Sequence, residues 1–558
     1  VLADLQERLL NRIQSLASGK EKTKLLENLL EKSFQLAEIP QIRPIVLETL
    51  KSLPKIPEKY LKTIEESPDL YKDSALSVKQ QLWLKKESLY QTEIQPLIES
   101  YLVAKKKPLR VLESPTAQYF SSSTKLRRHI SEIDTMVSFI GEHGLLYDRL
   151  LQYIRKGFIE TGEVHYCSLR YELVMCLHEG GARGVCDLDP CHSFAWCLDP
   201  CIREKHLDPK HAQEIKTFLD GIKRSSDQVW GDVCMVAADP HVMDFFSSLA
   251  LKVIHLSVSS DILPREQQSL PLIIRILSLG SRAWEIQSEK NWKEEKPDLL
   301  LYTKFIPALS SLIVQDWSRN ELARQTEMDP SVLESVPDEY AEVTAENFSK
   351  TVPKLILDYL KTDRVAVFLW LYYCLDLGKR KDAAGLSLAI PALVKSRDGL
   401  HYTEQYLHLF ISKLIQIDWR RIMTVPDDGV MSPGWELAVN VLEKYLGTKT
   451  ALSKERVRWH TLRLLYHSGG RMPAQLVENI MRLLNPAESK FPSGDGKEDN
   501  ESFEFAYATT YTKVQQKIAA VRMEEAAQSE SQDIKDPESV KNRRESSFDF
   551  DMPLPTPK

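Results

Sequence analysis

Residues 146–158 read LYDRLLQYIRKGF, and this stretch shows most clearly the apolar pattern that recurs along the chain. Its apolar side chains recur at about the 3.6-residue period of an α-helix, so that they share one face. Charged and polar side chains occupy most of the positions between them. The pattern predicts an amphipathic helix that buries the face formed by Leu146, Leu150, Leu151, Ile154 and Phe158.

The same periodicity returns along the rest of the chain, in residues 2–16, 25–34, 215–222, 273–279 and 305–313. The sequence shows no convincing alternating strand pairs and no Asn-Gly hairpin signal. It therefore predicts an all-α protein, with most helices of roughly 12–20 residues joined by short connections. For a chain of 558 residues the favoured architecture is a degenerate HEAT-like repeat array, an α-helical solenoid. An irregular helical bundle is the alternative.

Asp-Pro pairs mark expected helix starts. Aspartate is a strong N-cap, and proline suits the first helical position because its missing N–H would be unpaired there. The clearest case is Asp208-Pro209, which precedes an apolar-periodic stretch. The other pairs lie at 189–190, 199–200, 239–240 and 329–330.

Composition limits the functional classes. Apolar residues make up 43% of the chain and charged residues 27%, which is typical of a protein with a packed core. The formal net charge of −6 indicates that any nucleic-acid contact must come from local basic patches. The longest apolar run, residues 365–375, is shorter than the roughly 20 residues that span a bilayer, so we expect a core helix and no membrane. The first residues carry neither a secretory signal nor an initiator Met, so we expect upstream residues to be missing.

Shifts in composition predict the domain organisation. Polar or Pro-containing stretches separate helical regions, and the end of the chain is too polar to fold alone. The predicted regions are an N-terminal helical region at 1–104, a linker at 105–124, a central helical region with a Cys-rich signature at 125–317, an acidic connection at 318–347, C-terminal helical repeats at 348–486, a linker at 487–502, an isolated helix at 503–527 and a disordered tail at 528–558.

The strongest enzyme-like feature is a Cys/His cluster between residues 165 and 206. Zinc needs convergent thiolate or imidazole ligands, commonly from closely spaced Cys pairs. The spacings here are Cys186-x4-Cys191, Cys191-x5-Cys197 and Cys197-x3-Cys201, which include no Cys-x-x-Cys pair. Free Cys packs like a small hydrophobe, so we assign these cysteines to the core as reduced thiols, with no metal. The interleaved apolar residues assigned to the same core are Leu188, Phe194, Trp196, Leu198 and Ile202.

Nucleotide-binding motifs fail on inspection. Residues 447–450 (GTKT) lack the upstream glycine of a phosphate loop, and residues 180–184 (GGARG) lack the dinucleotide-binding spacing. We therefore predict no catalytic residue, no cofactor and no enzymatic activity. A zinc-dependent or nucleotide-using enzyme is kept as the rival hypothesis.

Basic clusters are the candidate nucleic-acid contacts. Phosphate groups need only well-placed Lys and Arg side chains, so several patches on one face could hold RNA. The candidate RNA-contact residues are Lys105, Lys106, Lys107, Arg127, Arg128, Lys379, Arg380, Lys381, Arg420, Arg421, Lys454, Arg456, Arg458 and Arg463.

Several collinear blocks carry a family resemblance. They are residues 164–173 (VHYCSLRYEL), 186–204 (CDLDPCHSFAWCLDPCIRE), 218–223 (FLDGIK) and 263–284, with shorter blocks at 29–34, 53–59 and 462–467. In this order they resemble the negative elongation factor B family. The resemblance runs over most of residues 2–486, is strongest between 160 and 290, and is weak between 320 and 450.

The resemblance implies a nuclear, non-catalytic helical protein with a HEAT-like fold that is one component of the negative elongation factor complex. Within that complex it would bridge the C/D and E subunits, with an indirect link to the A subunit, and would help to hold RNA polymerase II in a promoter-proximal pause. The resemblance also implies that basic surface of the assembly contacts nascent RNA, and it implies no metal. A helical-repeat adaptor outside transcription is the second alternative.

Overall fold

The computed structural model describes residues 20–106, 127–259, 267–289, 299–326, 352–380, 474–486 and 497–535, with single residues and short pieces between these ranges. Every regular element in these ranges is a helix, and no strand is found among them. The predicted all-α helical array is thus confirmed. Most of residues 2–16, the Asp329-Pro330 pair and residues 447–450 lie outside the described residues.

Most of the described α-helices in residues 20–288 are joined by short connections. The described α-helices are α1 Lys20–Ser33, α2 Arg43–Lys51, α3 Glu58–Glu66, α4 Pro68–Asp73, α5 Leu76–Lys85, α6 Glu87–Lys106, α7 Ser131–Ile140, α8 Gly144–Thr161, α9 His165–Glu179, α10 Arg183–Cys186, α11 His192–Glu204, α12 Pro209–Gly221, α13 Asp227–Ala237, α14 Pro240–Ser259, α15 Leu270–Ser281, α16 Ala283–Ser288, α17 Ile306–Thr326, α18 Lys354–Thr362, α19 Arg364–Arg380, α20 Ala474–Leu483 and α21 Lys497–Lys535. Short 3-10 turns cover Phe34–Glu38, Ile222–Arg224 and Gly469–Arg471, and a π-helical turn covers Leu301–Phe305.

The chain divides into two compact units, which are described separately. Unit 1 comprises Val1–Lys105, Ser122–Asp239 and Ala283–Trp292. Unit 2 comprises Lys106–Ser121, Pro240–Arg282 and Lys293–Lys558.

Helix α8 forms as its apolar period predicts. All five side chains of the predicted face, from Leu146 to Phe158, are buried in unit 1. The helix ends at Gly162, whose φ of +64° is a left-handed conformation that glycine adopts without strain. The period therefore fixes which face of α8 enters the core, and the glycine fixes where the helix stops.

The first five helices of unit 1 share one apolar cluster, which holds Leu26 and Leu30 of α1, Leu50 of α2 and Leu82 of α5. Phe34 packs against this cluster, with its ring 4.4 Å from that of Tyr60. The predicted face at 25–34 is only partly confirmed, because Leu25 and Leu29 are exposed. The buried positions follow a narrower stripe than the run of leucines suggests.

The Asp-Pro pairs divide into helix starts and one exception. The carboxylate of Asp208 accepts a hydrogen bond from the His211 N–H at 2.9 Å, which caps α12 as predicted, and α14 begins at Pro240. Helix α11 begins two residues after Pro190. The predicted start at 199–200 is wrong, since Pro200 lies inside α11. There the Asp199 carboxylate accepts a hydrogen bond from buried Arg128 at 2.5 Å, so tertiary packing overrides the local signal.

In the described part of unit 2, two apolar helices, α14 and α19, pack against each other. The predicted core run at 365–375 is buried in α19, and α14 packs against α15, α17 and α19. By length and composition alone, Pro240–Val258 could cross a membrane. More than half of that stretch is buried inside the protein, which is typical of a core helix.

Two helices extend further than the sequence suggests. Helix α17 continues to Thr326, into the predicted acidic connection at 318–347. Helix α21 spans Lys497–Lys535, so it includes the end of the predicted linker at 487–502 and the start of the predicted tail at 528–558. No Gly or Pro lies between Gly496 and Pro537, and residues such as Glu, Gln and Lys favour helix without an apolar stripe. The remainder of the tail lies outside the described residues.

Helix α21 is also not isolated within unit 2. The Tyr507 hydroxyl donates a hydrogen bond to the Leu484 carbonyl at 2.8 Å, and the Tyr511 hydroxyl donates to the Met481 carbonyl at 3.0 Å. Ile518 of the same helix lies against Gly469. The helix predicted as isolated at 503–527 therefore packs on α20 and the turn before it.

Candidate functional site

Helix α9, which carries Cys167 and Cys176, lies in the interior of unit 1. Every residue of α9 from His165 to Leu177 is buried, including the charged side chains of Arg170 and Glu172. Helices α7, α8, α11 and α13 surround it. A helix that is covered on all sides carries its polar groups into the protein interior. Whether these groups are structural or chemical therefore depends on the partners that they contact.

Seven of the eight cysteines are buried, and Cys197 is half-buried. Burial raises the pKa of the Cys167 and Cys191 thiols well above the ordinary value, which keeps both thiols protonated at neutral pH. The Cys201 thiol lies 3.2 Å from the Cys197 carbonyl, one turn earlier in α11. The thiols of Cys167, Cys191 and Cys201 fill core space as the sequence predicts.

Arg170 of α9 organises the first buried charge network. Its guanidinium donates to the Asp189 carboxylate at 2.7 Å and lies 3.5 Å from Asp232. Arg155 of α8 donates two hydrogen bonds, of 2.7 and 2.8 Å, to the same Asp232 carboxylate. The Tyr147 hydroxyl donates to Asp189 at 2.5 Å. The carboxylates of Asp189 and Asp232 therefore link α8, α9 and α13 with the residues just before α11.

The charges in this network are mutually stabilised. Burial acts to raise the pKa of Asp189, but Arg170, Tyr147 and the Cys191 N–H outweigh it, and the pKa is held below its usual value. The carboxylate is therefore ionised at neutral pH opposite a fully buried guanidinium.

Arg127 and Arg128 lie in a second buried network, on the other side of α9. Arg128 donates to Glu172 at 3.0 Å and to Asp199 at 2.5 Å, and it also contacts Glu179. Arg127 lies 3.3 Å from Glu172 and 4.0 Å from Asp239. Burial lowers the pKa of Arg128, but the attraction of Glu172 and Asp199 outweighs it and raises that pKa above its usual value.

This geometry corrects the prediction of an RNA-contact patch at 127–128. The Arg128 side chain is only 1% exposed, and carboxylates occupy its hydrogen-bonding edge. An RNA phosphate could reach it only by displacing those carboxylates. The cluster is a structural one, whose charge is neutralised inside unit 1.

The other candidate RNA-contact residues differ in their surroundings. Arg463 is buried, and Arg380 pairs with Asp376 at 2.6 Å. Lys105 is half-buried with its ammonium 5.3 Å from the centre of the Tyr101 ring, and burial lowers its pKa. Lys379 is exposed at the end of α19.

Two further candidate RNA-contact residues, Arg458 and Lys106, lie at or near the edges of the described ranges. Arg458 is half-buried, and Lys106 ends α6 without a described side chain. The candidates outside the described residues are Lys107, Lys381, Arg420, Arg421, Lys454 and Arg456.

Sequence reasoning missed an apolar surface beside the signature. Phe194, Leu198 and Ile202 are buried as predicted. However, Leu188 is 70% exposed and Trp196 is 50% exposed, contrary to the prediction that both belong to the core. Leu188 precedes α11 and Trp196 lies within it, and a large exposed aromatic residue suits contact with a partner protein.

Two histidines adjoin the exposed tryptophan. The His178 ring lies 4.2 Å from the Trp196 ring, and His178 Nδ1 lies 2.8 Å from His192 Nε2. Burial and the neighbouring His178 lower the pKa of His192, so its ring is neutral at neutral pH. The surface formed by His178, His192 and Trp196 is thus aromatic, with His178 between the other two rings.

Comparison with known proteins places this architecture in a family. A protein-family model described as Cofactor of BRCA1 matches residues 40–395. Negative elongation factor B of mouse is 35% identical over 491 residues, covering 87% of this chain and 80% of the mouse protein. The human protein of the same name is 34% identical, and that of Drosophila melanogaster is 32% identical over 79% of its length.

The match to these relatives covers most of the chain, and the family model includes the buried networks around α9. The resemblance noted from separate sequence blocks is therefore confirmed. The chain belongs to the Cofactor of BRCA1 family, the family of negative elongation factor B.

Proposed function

We propose that this chain is a non-catalytic scaffold within the negative elongation factor complex and that it acts in the nucleus. The observation that carries the proposal is the 32–35% identity, over 87% of the chain, to three proteins named negative elongation factor B. In this role it promotes promoter-proximal pausing of RNA polymerase II as part of the complex. Its own contribution is to hold other subunits in place.

The described residues support a scaffold in two ways. The buried charged groups of α9 pair with charged groups of neighbouring segments inside unit 1, where they fix how the surrounding helices pack. The exposed Trp196 and Leu188 present apolar area of the kind that protein partners bury. A packed helical unit with such a surface suits assembly.

We further propose that the chain bridges the C/D subunit and the E subunit, with the A subunit linked indirectly. Size-exclusion chromatography of the purified C/D subunit, E subunit and this chain tests the proposal. We expect all three to co-elute in one peak when mixed. In the control mixture without this chain, the C/D and E subunits are expected to elute separately. Co-elution of these two subunits without the chain, or failure of the chain to bind either, would contradict bridging.

An RNA contact at the exposed Lys379 is a second proposal. We expect Lys379→Gln to weaken binding of single-stranded RNA by the assembled complex similarly for all sequences. The slope of log affinity against log salt should fall by about 0.7 to 1, because one phosphate contact is lost. Fluorescence anisotropy over a salt series measures this slope.

The matched control for Lys379→Gln is Lys354→Gln, an exposed lysine at the start of α18 in the same unit. The control should leave the salt slope unchanged. Equal slopes for Lys379→Gln and the unmodified complex would remove Lys379 from the RNA-binding surface.

A further inference from the structure

Two neighbouring side chains, His129 and Asp134, meet Cys176, which lies 42 positions after Asp134, at the surface of unit 1. His129 precedes α7, Asp134 lies in the first turn of α7, and Cys176 lies in the last turn of α9. One ligand atom from each lies within 4.8 Å of the other two. An imidazole nitrogen, a carboxylate oxygen and a sulfur atom are three of the ligand types that zinc accepts.

The separations approach those of a metal centre. Zinc bonds of about 2.0–2.3 Å at a tetrahedral ion place neighbouring ligand atoms roughly 3.3–3.8 Å apart. Asp134 Oδ1 lies 3.8 Å from His129 Nδ1 and 3.8 Å from Cys176 Sγ. His129 and Asp134 are each about half exposed, so small rotations of their side chains can close the remaining gap. Cys176, which is buried, supplies a fixed inner ligand.

A carboxylate, that of Glu179, lies beside the second nitrogen of His129. His129 Nε2 lies 3.4 Å from Glu179 Oε2, and Arg128 contacts the other oxygen of Glu179. A carboxylate at this distance favours a proton on Nε2, which leaves the lone pair of Nδ1 available to a metal ion. Metal-ligating histidines almost always have such a carboxylate or carbonyl partner. Arg128 in turn holds the carboxylate in place from the buried network.

We propose that His129, Asp134 and Cys176 form a binding site for zinc or a closely similar divalent transition metal, with Glu179 orienting His129. The ligand set excludes magnesium and calcium as preferred ions, because these prefer oxygen ligands alone. The fourth coordination position faces solvent beside the two exposed ligands and takes water. The site is separate from the cysteines between 186 and 201, and it does not depend on the proposed function.

Cobalt spectroscopy of the full chain tests the site directly. Co²⁺ added to the metal-free protein should give the near-ultraviolet thiolate-to-cobalt band and the visible bands of a tetrahedral centre. We expect Cys176→Ser to abolish the thiolate band, and His129→Gln to abolish tetrahedral binding. His129 is half exposed, so the second variant should keep the fold, which far-ultraviolet circular dichroism checks.

The matched control is Cys197→Ser, which removes a half-buried thiol on α11 outside the cluster and should leave all bands intact. No thiolate band with the unmodified chain would overturn the proposal. A band that survives Cys176→Ser or is lost with Cys197→Ser would assign the metal to another thiol and would also overturn it.

Glu179→Gln tests the orienting role by a different readout. In a competition with a chromophoric chelator, we expect its zinc affinity to fall roughly 10- to 100-fold, with the thiolate band of the cobalt form preserved. An affinity equal to that of the unmodified chain would show that Glu179 does not orient His129.

Discussion

Replacing Arg170 with Met will lower the free energy of unfolding by roughly 3–5 kcal/mol, because it leaves buried charge without its partner. The Arg170 and Asp189 side chains are both fully buried, and Arg170 also lies beside Asp232. Methionine is unbranched like the stem of arginine but is shorter, and it offers no positive charge and no hydrogen-bond donor. Arg155 still neutralises Asp232 in the variant, so Asp189 bears most of the penalty.

Urea denaturation followed by circular dichroism measures the effect on the transition that melts α9. The matched control is Arg203→Met, which removes an arginine that is 55% exposed and 3.9 Å from Asp199. Surface pairs of this kind contribute little, so the control should change the free energy of unfolding by less than about 1 kcal/mol. Equal losses for the two variants would contradict a special role for the buried network.

The loss in free energy of unfolding caused by Arg170→Met should also depend on pH. In the unmodified chain the folded-state pKa of Asp189 lies below its ordinary value of 3.8, so the pair stabilises the fold above that pH. This contribution is lost as the pH falls through the folded-state pKa, because protonated Asp189 no longer needs a cation. The difference in stability between Arg170→Met and the unmodified chain should therefore shrink in acid. A difference that stays constant from neutral pH into acid would exclude Asp189 as the source of the penalty.

Replacing Trp83 with Ala should have an effect of similar size, about 3–5 kcal/mol, by opening a cavity in unit 1. The Trp83 side chain is 0% exposed, and its ring lies 5.5 Å from Tyr90 and 4.9 Å from Phe139. Its indole N–H donates a hydrogen bond to the Tyr71 hydroxyl at 2.8 Å. The truncation removes both the packing and this bond.

Trp196→Ala provides the control for Trp83→Ala, since it removes the same side chain from a half-exposed position. We expect a change of at most about 0.5–1 kcal/mol in the free energy of unfolding. Thermal unfolding of both variants in the same buffer compares them. A loss for Trp196→Ala as large as that for Trp83→Ala would show that α11 is packed differently.

The features that depend on neighbours in sequence could be predicted. The apolar period of α8 and the cap at Asp208 arise from interactions within a few residues, and both are as expected. The burial of 365–375 in α19 follows from its lack of polar positions. Helix periodicity and capping depend on residues that are close in sequence, so both can be predicted without knowledge of the tertiary structure.

The features that depend on distant residues could not be predicted. Arg128 looks like part of a surface patch until Glu172 and Asp199, which are 44 and 71 positions away, are brought to it. The exposure of Trp196 depends on which face of α11 its neighbours leave uncovered. The cluster of His129, Asp134 and Cys176 has no spacing motif, because it joins two helices across 42 positions of sequence.

Affinity purification of the tagged full chain from nuclear extract, with quantitative mass spectrometry, tests most directly whether the chain is part of the negative elongation factor. We expect the C/D, E and A subunits to be recovered together in near-equal amounts and above all other nuclear proteins. The matched control is the tag alone. Recovery of a different set of partners, with the negative elongation factor subunits at the level of the tag-only control, would contradict membership in the complex and favour an adaptor outside transcription.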